Sequence, residues 1–131
     1  MAKAERWIMT GAVSAALAIA AGAFAAHALR TRLDARSFEI FETAASYHLI
    51  HALALVLVGV LVAAGWDRAE RAGIGFVVGT LVFSGSLYAL ALSGVKVLGA
   101  ITPIGGVGFI AGWLMLAHVA WQRSRINVNR R

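Results

Sequence analysis

The chemistry open to this chain rests on four histidines, two tyrosines and a few serines, because its 131 residues include no cysteine. His48 and His51 are three apart and share a helix face, a spacing that suits two ligands of one metal or an axial ligand to haem. The same imidazoles can instead hydrogen-bond a neighbouring helix or interfacial water, the usual state of polar groups at membrane depth. Both readings stay open on the residues alone, and no metal, haem or other cofactor is assigned. Ser84, Ser86 and Ser93 have no base and orienting partner nearby in the chain, so nucleophilic catalysis has no support. Tyr88 and Trp113 read as packing or interface anchors. The chain is therefore read as non-enzymatic.

These groups must be positioned by membrane helices. With 60% hydrophobic and 14% charged residues, the sequence cannot give a water-soluble globule a polar surface, and a bilayer is the required solvent. Uncharged runs at about 8–29, 44–65, 73–93 and 102–121 each approach the ~20 residues that cross ~30 Å of hydrocarbon as helix. The first run is long for a cleaved signal and is read as a span. The fold class is an all-α membrane protein, a four-transmembrane-helix bundle forming a single integral membrane domain over residues 1–131. Between the first two spans, Arg30 to Thr43 mixes charges with Leu33, Phe38, Ile40 and Phe41, which predicts a short interfacial helix. Thr102 and Pro103 have the chemistry of a helix start, a capping hydroxyl followed by a residue with no amide to satisfy. The basic tail 122–131 is expected to be mobile.

An even number of spans puts both termini on one side. That side collects Lys3, Arg6, Arg68, Arg71, Arg123, Arg125, Arg130 and Arg131, against Arg30, Arg32, Arg36 and Lys96 opposite. The positive-inside rule then predicts both termini in the cytoplasm, with Trp7, Trp66 and Trp121 as an aromatic belt at that face. The formal charge of +6 serves topology and anionic lipid rather than nucleic acid, since no basic groove with stacking aromatics accompanies it. No Asp, Glu, Lys or Arg lies inside the spans, which weakens a proton-driven pump; a small oligomeric transporter or channel is the alternative class.

Two packing expectations follow from the small residues. Gly11 and Gly22 lie on a small face of the first span, and Gly75, Gly79 and Ser86 on one of the third; these seams are expected to meet. Gly108 and Gly112 in the fourth span then remain for a second copy or another membrane protein. An antiparallel first hairpin should also bring His27 beside Glu42, Tyr47, His48 and His51 as one polar cluster near the outer face. His118 falls near the opposite end.

Four ordered blocks carry a resemblance over nearly the whole chain: Gly22 to Leu29, Glu42 to His48 with His51 to Leu55, Phe83 to Tyr88, and Thr102 to Gly106 with Gly112 and Trp113. Together they resemble the domain of unknown function 423 family, small multi-span bacterial inner-membrane proteins. Ala25 departs from the glycine expected in the first block. The resemblance implies a bacterial plasma membrane location and brings no activity, cofactor or catalytic residue with it.

Overall fold

The computed structural model describes residues 1–128. Four helices are long and apolar enough to cross a membrane: Lys3–Leu29, Ala35–Ala63, Asp67–Ser93 and Val97–Ile126. The fourth helix continues beyond its apolar window, spanning Val97–Val128 in all. The expected tail is thus helical as far as Val128, and Arg130 and Arg131 lie outside the described residues.

Each end has a local cause. The Ala2 amide donates to the Glu5 carboxylate at the first helix start, where a negative charge also suits the helix dipole. Asp34 caps the second helix, accepting from the Ser37 amide at 3.0 Å and its hydroxyl at 2.8 Å. That helix runs unbroken from Ala35 to Ala63, so the polar stretch after the first span is helical as expected but continuous with span two rather than separate from it. Buried Phe41, Ala44 and Ala45 form the continuous face that carries the helix across. Gly65 and Gly94, at φ of 79° and 71°, end the second and third spans in the left-handed region that only glycine enters freely.

Thr102 and Pro103 do not start the fourth span. The helix begins at Val97, leaving Pro103 inside it. Val97 to Ile101 is apolar, and extending the helix back through it keeps that backbone hydrogen-bonded in the bilayer at the cost of the bond proline cannot make and the crowding of its ring against the preceding turn. The Thr102 hydroxyl bonds the Leu98 carbonyl at 3.3 Å and the Ser86 hydroxyl at 2.7 Å, so it ties spans three and four instead of capping.

Packing follows the chain order. The first span lies along the second, the third along the fourth, and the second against the third. The small residues decide this, though not with the partners expected. A Cβ on Gly11 would sit 2.7 Å from the Ala52 carbonyl oxygen, and one on Gly59 would sit 2.8 Å from the Ile8 amide, so glycines on both helices close the first hairpin. A Cβ on Gly75 would sit 3.0 Å from the Gly108 carbonyl oxygen and 3.2 Å from the Gly112 backbone, and one on Gly79 would strike the Phe109 ring. The seam of span three is thereby used by span four, and Gly108 and Gly112 are not left for a second copy. Gly22 has open space around it. Short turns force antiparallel neighbours together before any distant seam can compete. Spans one and three approach each other at the end bearing the N terminus, where Lys3 pairs with Glu70 at 2.9 Å and the Trp7 ring covers Gly73.

Candidate functional site

The polar groups fall into two regions rather than one cluster. His51 is 3% exposed, between spans two and four. Its Nδ1–H donates to the Tyr47 carbonyl at 2.8 Å, since a carbonyl only accepts. In the neutral ring Nε2 is then the acceptor, and Trp113 Nε1–H donates to it at 3.2 Å. The ring lies flat on Phe109, centroids 3.4 Å apart at 9°, with Phe76 tilted against it at 5.5 Å. The one imidazole lone pair is occupied, so a metal could bind only by displacing the indole.

His48, one turn earlier, looks the other way. Its Nε2 is 3.0 Å from the Ser14 hydroxyl of span one and its Nδ1 3.1 Å from the Tyr88 hydroxyl of span three. This joins three spans through one side chain. Ser14 and His48 have the contact of a nucleophile and base, but Tyr88 replaces the usual carboxylate orienter. Ser14 also lies within a continuous helix, whose amides are committed to the helix and cannot form an oxyanion hole.

Of the expected cluster, Tyr47 stays with His51, stacked at 6.2 Å, while Glu42 and His27 are both exposed. The set does not converge, because His48 and His51 point to different neighbours and the hairpin register places them level with Ser14 and Gly11, several turns along the first span from His27. Among the described residues, no group of three or more His, Cys, Asp or Glu could hold a metal ion. His118, at the other end, accepts from Gln122 at 2.8 Å, which itself accepts from Arg68 at 2.7 Å.

Beside His48, spans one and three part to leave a cleft of about 600 Å³. Its mouth faces the lipid between Leu17, 60% exposed, and Leu81, 70% exposed. On its span-three wall, Thr80 and Ser84 hold buried hydroxyl oxygens without a hydrogen-bond partner. Thr43, Ser93 and Ser124 return their hydroxyls to a carbonyl of the preceding turn, and Ser86 and Thr102 pair with each other while one of the two does the same. Thr80 and Ser84 bound a π-helical turn, Thr80–Ser84, in which the helix is locally widened. An unpartnered buried hydroxyl costs roughly 1–3 kcal/mol. The sequence marked Ser84 only as lacking a catalytic partner; the π turn that strands it has no sequence signal that we recognise.

Fold and lining together define an integral membrane protein in which His48 and His51 link neighbouring helices. The chain belongs to the family described as "Protein of unknown function (DUF423)", whose model matches residues 21–106. It is 43% identical over 110 residues to a UPF0382 membrane protein of Staphylococcus saprophyticus, covering 84% of this chain and 92% of that one. It is 40% identical over 116 residues to the UPF0382 membrane protein YwdK of Bacillus subtilis, covering 87% and 94% respectively. No solved structure matches.

Proposed function

We propose that the protein acts without catalysis in the bacterial plasma membrane, with both termini cytoplasmic, as a packing or partner protein that works through its lateral surface. The observation that carries this reading is that all four ring nitrogens of His48 and His51 are taken up inside the bundle, those of His48 by Ser14 and Tyr88 of spans one and three, and those of His51 by the Tyr47 carbonyl of its own helix and by Trp113 of span four. With neither a carboxylate orienter nor an oxyanion hole beside them, imidazoles held in this way fasten the bundle rather than act as acid or base. The surface left for partners is apolar and broad, with Ile104, Val107 and Leu114 on the outside of span four. Membrane lipids cover it, and a second copy or another membrane protein can replace them.

The charged ends support the threading. Arg123 donates to the Gly65 carbonyl at 2.9 Å and lies over the Trp66 ring at 5.0 Å, which fits a basic, aromatic headgroup belt on the side of the termini. Reporter fusions at Arg71 and at Lys96 test it: the first should report cytoplasm and the second the opposite side. A reversed pattern rejects the topology. Purification from native membrane should recover a stable protein partner, and recovery of lipid alone would reject the partner role.

A further inference from the structure

The cleft between spans one and three points to a bound lipophile. We propose that it binds an isoprenoid-type quinone, a neutral ring carrying two opposed carbonyls on a hydrocarbon tail. This goes beyond the reading above and does not depend on which way the chain is threaded.

Depth selects the ligand first. Thr80 is the middle residue of Asp67–Ser93, and Ser14 and His48 lie next to the middle of their own spans. The unpartnered hydroxyls therefore sit near the bilayer midplane, ~15 Å of hydrocarbon from either surface. A phospholipid presents its ester carbonyls near the surface and cannot lower them so far without dragging a charged headgroup into hydrocarbon. A quinone has no charge, and its ring can reside at that depth.

Hydrogen bonding selects it second. Thr80 and Ser84 line the cleft from span three with unpartnered hydroxyls whose oxygens lie just under its wall, and rotation about Cα–Cβ turns them toward an occupant's carbonyl. The Ser14–His48–Tyr88 chain adds another. A neutral imidazole and two hydroxyls hold three hydrogens, of which the two bonds in the chain use two. The spare hydrogen is on Tyr88 if Nδ1 carries the ring proton and on Ser14 if Nε2 does, and both residues line the cleft. With the ring proton on Nε2, Ser14 donates from span one while Thr80 and Ser84 stand on span three, and donors then flank the space from both walls, as a para-quinone requires. The volume, about 600 Å³, is within the range of small-molecule sites and exceeds a single ring, leaving room for the start of a tail. The proposal is for binding alone.

The test uses the full chain in detergent micelles with decylubiquinone as probe, decylbenzene as a tail without carbonyls, and phosphatidylethanolamine as competitor. Wild type should retain a single quinone per chain, measured by ultraviolet absorbance after extraction, and neither other lipid should displace it at equal concentration. Thr80→Val with Ser84→Ala should weaken retention by about tenfold or more while leaving the empty protein at least as heat-stable, because the lost hydroxyls had no partner. Gly85→Leu, at a lining position with nothing within 4 Å of its added Cβ, should fold and retain none. No retention by wild type, equal retention by the double variant, or displacement by decylbenzene or phosphatidylethanolamine at equal concentration would each overturn the proposal, the last marking a groove for bulk lipid only.

Discussion

Spans two and four face each other across one side of the bundle, and spans one and three across the other, with opposite results. The first gap is filled by rings: His51 on Phe109, Phe76 and Trp113 against it, and Tyr47 at 6.2 Å from Phe109. The second is closed at its two ends, by Trp7 over Gly73 and by the cluster of Ala25, Leu29, Phe41 and Ala91, and opens between them into the cleft, with two hydroxyls left unpaired on its wall. Two histidines one turn apart on the same helix serve the two gaps. Aromatic side chains large enough to meet across the gap make the difference, since lipid gives helices no hydrophobic reason to close a space on their own.

If the closed gap holds the bundle and the open one does not, substitutions should sort by side. The largest loss is expected for Gly105→Leu, whose side chain would enter the Phe83 backbone, and for Gly79→Leu against Phe109; size-exclusion chromatography in detergent should show no monodisperse protein. Gly22→Leu, in open space, should elute and melt as wild type. His51→Ala comes next, with a loss of about 2–5 kcal/mol for a large buried side chain, read from thermal or denaturant unfolding in micelles. His48→Ala should cost less, about 1 kcal/mol, because interhelical hydrogen bonds in membranes average only about 0.6 kcal/mol each. Equal losses at His48 and His51 would erase the distinction between the two gaps. The smallest effect belongs to Asp34, which lies outside both. Its bonds from Ser37 hold the carboxyl below the usual carboxylate range, so the cap stabilises above the unfolded-state value of about 3.9 and the contribution fades as pH falls through the folded value. Asp34→Ala should slightly lower the melting temperature at neutral pH and make no difference in strong acid.

Much of this was legible in advance where the signal is local. Charge cannot stay in hydrocarbon, so Asp67, Arg68, Glu70 and Arg71 mark the boundary between two spans; the chain reverses just before them, at Ala64 to Trp66, and they open the third helix. The Thr102–Pro103 pair misled for a related reason: it has the local chemistry of a cap, but a membrane rewards helix over any exposed backbone and the helix took in Val97 to Ile101. The glycine seams were visible as seams, whereas their partners depend on how helices are arranged around one another. Ser14 gave no sign of its role, being one hydroxyl in a small-residue helix.

By itself, then, the sequence determined the solvent, the number of crossings and their approximate ends, because hydropathy and charge act residue by residue against the bilayer. It also determined that glycine would bring helices close. Only the tertiary structure decided which glycines meet, that His51 would be sealed by Trp113 while His48 reached Ser14 and Tyr88, and that Thr80 and Ser84 would be stranded beside a cleft. Those outcomes depend on the rotation of each helix about its axis, and rotation is fixed by the joint fit of all four rather than by the residues of any one.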